Sequence, residues 1–290
     1  MFKSKLLNSL ILAALAVPCV AMAEDAAPVA PTSPFTANVG LVSDYVWRGI
    51  SQTSHAPAIQ GGFDYAHSSG FYAGVWGSNV SWIVDTAATA VPPGGNSSSG
   101  SAGLELDTYF GFKNSFADDF TYDVGFIRYN YPGSYTPNGS TGVPGTSLAK
   151  ADTQEIYGAI GYKWLSAKYS YGLGQFLTLP DAKGTNYFDL TATYPIADSG
   201  FTVAAHVGKQ TYKGANANGL AAITTGAAGT GTPTYTDYKV GVTKDFGGYV
   251  LGLAYTSTNA STFYTNSNAG AAFGKKLGKG TAALSLTHSF

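Results

Sequence analysis

The chain has 290 residues, with 16 Lys and Arg against 17 Asp and Glu and a formal net charge of −1. Only 11% of residues are charged, against about 25% in a typical soluble protein, and so even a balance excludes an electrostatic nucleic-acid binder. A single cysteine excludes a disulfide scaffold.

The chain opens Met1-Phe2-Lys3-Ser4-Lys5, continues with an apolar run from Leu6 to Val17, and reaches Ala21-Met22-Ala23. A short basic start, a greasy core and an A-x-A ending predict a secretory signal peptide over 1–23. The run is shorter than the roughly 20 apolar residues a membrane-spanning helix needs. Pro18, just before Cys19, stands where a lipidation signal wants a small residue. Removing 1–23 takes away Lys3 and Lys5 and no acid, leaving 14 basic and 17 acidic residues, a charge of −3 and no cysteine. Residues 24–35, rich in Ala and Pro, read as a disordered periplasmic lead-in.

From residue 36 onward the dominant period is two. In the last stretch Ala282, Leu284, Leu286, His288 and Phe290 share one face, and Ala283, Ser285, Thr287 and Ser289 share the other. Segments of this kind predict twelve strands: 36–47, 58–67, 71–81, 103–113, 119–130, 153–163, 166–172, 186–196, 201–211, 235–246, 248–257 and 281–290. Their connectors alternate in length. Short turns such as Ser68-Ser69 and Trp164-Leu165 are interleaved with long Gly-, Ser- and Thr-rich segments at 82–102, 131–152, 212–234 and 258–280. An antiparallel up-and-down transmembrane β-barrel has this parity, with short periplasmic turns and long extracellular loops. The expected fold is therefore an all-β outer-membrane barrel over 36–290, with both termini in the periplasm.

In hydrocarbon a sheet must close on itself, since unpaired backbone N–H and C=O groups cost several kcal/mol each. Alternate side chains then face lipid and lumen. The inward phase carries the acids Asp44, Asp64, Glu105, Asp107, Asp123, Glu155, Asp189 and Asp245. It also carries Arg48, Lys113, Lys163, Lys168, Lys239 and His206. Asp44 and Arg48 share parity, about 13 Å apart along one strand at roughly 3.3 Å per residue. Arg128 and Lys244 share parity with outward residues, which predicts snorkelling or a bulge. The aromatics sort into two expected membrane girdles. The periplasmic belt includes Trp164, Tyr194, Phe201, Tyr249 and Phe290, and the outer belt includes Trp47, Trp82, Tyr131, Tyr187, Tyr235 and Tyr255.

The stretch Asn38-Val39-Gly40-Leu41-Val42-Ser43-Asp44-Tyr45-Val46-Trp47-Arg48-Gly49, followed by Pro57-Ala58-Ile59-Gln60-Gly61-Gly62-Phe63-Asp64-Tyr65, resembles a proteobacterial family known as TorF-type porins. The likeness extends through Glu105 and Asp107. It implies an outer-membrane barrel with a transport role, and it transfers no substrate and no functional residues. The final Phe290 within an alternating strand resembles the C-terminal signal read by the barrel-assembly machinery.

No catalytic motif, cofactor motif or metal-ligand spacing appears. His55, His67, His206 and His288 are far apart in sequence. The leading expectation is a porin-like channel in contact with outer-membrane lipid, passing small solutes or ions. Two rivals remain: a non-conducting structural or adhesive barrel acting through its loops, and a barrel-embedded hydrolase using His206 or His288 with a Ser or Thr.

Overall fold

The computed structural model describes residues 33–83, 101–117, 119–135, 149–214, 234–262 and 276–290. The expected signal peptide, nearly all of the lead-in and the middles of the four long connections lie outside the described residues.

Twelve strands form one closed antiparallel barrel. They are β1 (Phe35–Val42), β4 (Ala58–Ala66), β5 (Phe71–Asn79), β6 (Leu104–Phe116), β7 (Phe120–Asn130), β8 (Thr153–Tyr162), β9 (Leu165–Gly172), β10 (Asn186–Ile196), β11 (Phe201–Thr211), β12 (Tyr235–Asp245), β13 (Tyr249–Thr258) and β14 (Thr281–Ser289). Neighbours in sequence pair throughout, and β1 closes the ring on β14 with Val39 opposite His288. Two further strands, β2 (Val46–Trp47) and β3 (Ile50–Ser51), make a separate two-stranded hairpin.

The period-two pattern follows the wall. Leu41, Ile59, Val75, Phe110, Val124, Ile160, Leu190, Val240, Leu253 and Leu284 project outward and are exposed. Each comes from a different strand, so the apolar face runs around the ring. A surface of this size and composition suits a lipid environment and is foreign to a water-soluble monomer.

At the periplasmic end the girdle aromatics meet in groups. Phe116 lies 5.5 Å from Phe120, and Phe120 lies 4.6 Å from Tyr162. Trp164 meets Tyr194 at 6.4 Å, and His288 is sandwiched by Tyr249 and Phe290 at 4.3 and 4.5 Å. Lys244 belongs to this belt: its ammonium sits over Phe201 at 4.6 Å and Phe246 at 5.8 Å. Arg128 also points outward, without any bulge in the β6–β7 register. At the outer rim its guanidinium reaches Asn130 at 2.6 Å and Asp152 at 3.4 Å.

The first expected strand is too long. The wall ends at Val42, and residues 43–57 turn into the barrel. Asp44 and Arg48 therefore do not lie along one strand. Trp47 is corrected with them: it is buried inside and does not face the membrane.

Candidate functional site

The inward segment 43–57 is organised by its own polar side chains. Asp44 accepts hydrogen bonds from the Ser51 hydroxyl at 2.6 Å and the Thr53 hydroxyl at 3.3 Å. Its second oxygen faces His55 Nδ1 at 2.7 Å. Three partners on one carboxylate fold the segment back on itself. At the tip, β2 and β3 are joined by Arg48 and Gly49, at φ 46° and 79°. Two consecutive positive φ values define the tight two-residue turn that matches strand twist. Gly49 is required twice over, since a Cβ there would stand 2.5 Å from the Asp237 Cβ on the opposite wall.

Arg48 crosses the lumen to β8. Its guanidinium grips Glu155 with both forks, at 3.0 and 2.7 Å, and donates to Gln210 on β11 at 2.9 Å. The Trp47 and Tyr187 rings hold it from either side, each 4.3 Å from the guanidinium carbon. The Arg48 and Glu155 side chains are 6% and 0% exposed. On the other side of the segment, the Tyr45 hydroxyl donates to Glu105 on β6 at 3.2 Å. The outer connections clasp it from above. Ser51 N donates to Leu277 O, and Ser81 N and Trp82 N both donate to Gln52 O. His55 Nε2 lies 3.0 Å from Lys276 O.

These contacts divide the interior into two zones. Inward side chains near the outer strand ends are buried, among them Glu105, Asp107, Tyr129, Thr153, Glu155, Tyr187, Gln210, Asp237 and Thr258. Toward the periplasmic ends of β10 to β14 the inward positions are mostly small and at least partly exposed, as at Thr193, Ala204, Gly241, Thr243, Ala254, Ala283 and Ser285, while Val250, Gly252 and Thr287 are buried. Lys239 is exposed as well. The outer half of the barrel is thus filled, and the inner half on this side is more open.

Two polar clusters line the boundary. His206 has Nδ1 2.8 Å from Asp189 and Nε2 2.8 Å from Asp237, and Tyr187 donates to Asp237 at 3.0 Å. Two carboxylates accept only, so the arrangement suits an imidazolium donating from both nitrogens. Across the lumen, the Tyr72 hydroxyl donates to Asp123 at 2.6 Å and also meets the Tyr157 hydroxyl. Lys168 lies over the Tyr157 ring at 3.9 Å, and Lys113 over Tyr72 at 5.0 Å.

A family model described as a bacterial protein of unknown function, Gcw_chp, matches residues 25–290. The chain belongs to the Gcw_chp family. The match carries the family and not the TorF-type name. No curated protein matches the sequence. Among solved structures, the NanC porin aligns with this Gcw_chp chain at a TM-score of 0.47 and 13% identity, over 88% of this chain and 98% of that one. The KdgM porin in complex with disordered oligogalacturonate aligns at 0.45 and 8%, over 88% and 98%. The outer membrane protein OprD from Pseudomonas aeruginosa aligns at 0.36 and 11%, over 90% and 66%. These similarities are of barrel fold alone.

Within the Gcw_chp barrel, the expected interior residues fall into distinct places. Arg48, Glu155, Glu105 and Asp107 gather at or under the inward segment, and Asp44 is its internal tie. Asp123, Lys113 and Lys168 form the tyrosine cluster, and Asp189 and His206 form the other. Asp64 accepts from the Tyr109 hydroxyl at 2.5 Å. Asp245 accepts from Gly248 N at 2.8 Å, at the periplasmic turn. Lys163 is a correction: it stands in the β8–β9 turn, half exposed, 3.5 Å from Asp119. That neighbouring carboxylate raises its ammonium above the usual lysine range.

The outer girdle is corrected as well. Trp82 packs against the buried cluster and Tyr131. Tyr131, Tyr187 and Tyr235 are buried inside with Trp47, which leaves Tyr255 outward and exposed. Tyr187 and Tyr235 share inward parity with Asp189 and Asp237. Trp47, Trp82 and Tyr131 lie past the strand ends, where the chain folds over the lumen. Sequence reasoning missed Asp237, Gln210, Tyr72 and Tyr157. Asp237 was legible, since it has the parity of Lys239 and Asp245.

Proposed function

We propose that this Gcw_chp protein is an outer-membrane channel for passive passage of small solutes or ions, narrowed in its outer half by the inward segment 43–57. The observation that carries the reading is the burial gradient: a lipid-suited exterior, a more open periplasmic half on the β10–β14 side and a buried polar constriction above it. On this reading residues 1–23 direct export, Phe290 engages the barrel-assembly machinery, and no cofactor takes part. Six carboxylates (Asp44, Glu105, Asp107, Glu155, Asp189 and Asp237) surround the constriction with one guanidinium, the Lys168 ammonium and two imidazoles, so the path favours cations or neutral solutes. Refolded mature protein in a planar bilayer should show small, cation-preferring steps. Absence of conductance from correctly folded protein overturns the channel.

A second reading is supported by the pinning of Arg48 and Asp44: a permanently closed barrel that acts through its outer loops. Under it, deleting 85–100 or 214–232 abolishes attachment to a surface and leaves the bilayer silent with or without the deletion. The hydrolase reading is weakened, because both nitrogens of His206 face carboxylates and the Thr191 hydroxyl, 3.3 Å from His206 Nδ1, donates to Asp189 at 2.8 Å.

A further inference from the structure

The inward segment covers one pair of acids that has no counter-charge among the described residues. Glu105 and Asp107 stand two residues apart on β6, both directed inward, at 1% and 0% exposure. Glu105 Oε1 accepts from Tyr45. Glu105 also faces the Tyr131 hydroxyl, whereas neither oxygen of Asp107 has a hydrogen-bond partner among the described residues. Across the sheet Asp107 is opposite Trp76 on β5 and Tyr129 on β7, and Tyr45 packs edge-on against Trp76 at 5.6 Å. Arg48, the nearby base, is already committed to Glu155 and Gln210. From residue 24 on, the sequence outside the described residues contains one more base, Lys275.

Two ionised carboxylates at this depth are strongly unfavourable unless a cation joins them. We propose that Glu105 and Asp107 together bind one hard divalent cation of the Ca2+ type. Two unpaired carboxylates match its charge. The donors are oxygens without imidazole or thiolate, which suits Ca2+ rather than zinc or copper. The two orphan oxygens of Asp107 and a Glu105 oxygen supply part of its shell of six to eight ligands, with phenol hydroxyls, main-chain carbonyls or water completing it. No cluster of three or more His, Cys, Asp or Glu with metal-binding geometry occurs among the described residues, so this is a two-carboxylate site. Through Glu105 and Tyr45 the ion also fastens the inward segment to β6. The inference does not require that the barrel conducts.

The test uses the refolded mature barrel in detergent after chelator treatment, titrated with Ca2+ by calorimetry and with Tb3+ by luminescence. Tyr45, Tyr129 and Trp76 are close enough to Asp107 to sensitise Tb3+. The expected result is one site per chain, a thermal midpoint raised by several degrees in Ca2+, and Tb3+ emission that Ca2+ displaces. Asp107→Asn and Glu105→Gln should each lose emission and Ca2+ response. In chelator each should melt at or above the wild type, because each removes a buried charge. The proposal is overturned by a wild type that neither binds nor responds, or by variants that bind as well as the wild type. It is also overturned by a protonated-carboxyl infrared band at neutral pH that vanishes in Asp107→Asn, which would make the neutralising ion a proton.

Discussion

Removing Arg48 should cost far more than its single ion pair suggests, and the cost should nearly vanish when its partner is removed too. In Arg48→Met, Glu155 keeps a hydrogen bond from the Tyr129 hydroxyl at 3.3 Å and loses both guanidinium contacts. It stays fully buried, so an uncompensated charge remains, at about 3–5 kcal/mol. Glu155→Gln strands the guanidinium instead, between Trp47 and Tyr187 with only charge-free acceptors, Gln210 and the new amide oxygen, at a similar cost of about 3–5 kcal/mol. The double variant contains neither charge and loses only neutral hydrogen bonds, about 1–3 kcal/mol in all. The coupling between the two positions should therefore exceed about 2 kcal/mol. Reversible urea unfolding from lipid vesicles measures it, and the emission of Trp47 reports separately on the segment. Effects that add to within about 0.5 kcal/mol would falsify the latch as described.

Gly49→Ala should destabilise the fold by more than about 1 kcal/mol and raise conductance, since the residue has φ 79° and a Cβ there would press on Asp237. Gly247→Ala is its control: φ is 80° with nothing within 4 Å of the new Cβ, so only backbone strain of about 1–3 kcal/mol enters and conductance stays at the wild-type level. Val240→Arg, on the exposed face of β12, should cost about 2–4 kcal/mol in vesicle unfolding, and a neutral result there would contradict a lipid-facing wall. Asp119→Asn should leave the unfolding midpoint unchanged while lowering the pKa of Lys163, since that pair sits in solvent at the periplasmic turn; nuclear magnetic resonance titration of Lys163 reads it.

The barrel was legible because a closed sheet between lipid and water writes its solvent boundary into alternate residues. Leu251, Leu253 and Tyr255 point out, and Gly252, Ala254 and Thr256 point in, as period two requires. The inward turn at Ser43 was hidden for the same reason. Residues 43–47 continue the alternation of β1, and what diverts them is a set of tertiary partners: Ser51, Thr53 and His55 on Asp44, and Glu155 on Arg48. Aromatics at strand ends are ambiguous, because a ring near the rim can join the girdle or cap the lumen. Tyr187 and Tyr255 look alike in sequence, and register alone sends one inward and the other to lipid. Lys163 was misplaced by one residue at a strand end, where the chain at φ 52° has already left the ladder.

The most direct test of the account replaces residues 44–55 by a short Gly-Ser turn and compares single-channel currents of this variant with those of the wild type. With the plug removed, the same twelve strands should carry a much larger ohmic current and lose the small cation-preferring steps. A shortened barrel that folds, inserts and passes no more current than the wild type would contradict the assignment of this segment as the constriction.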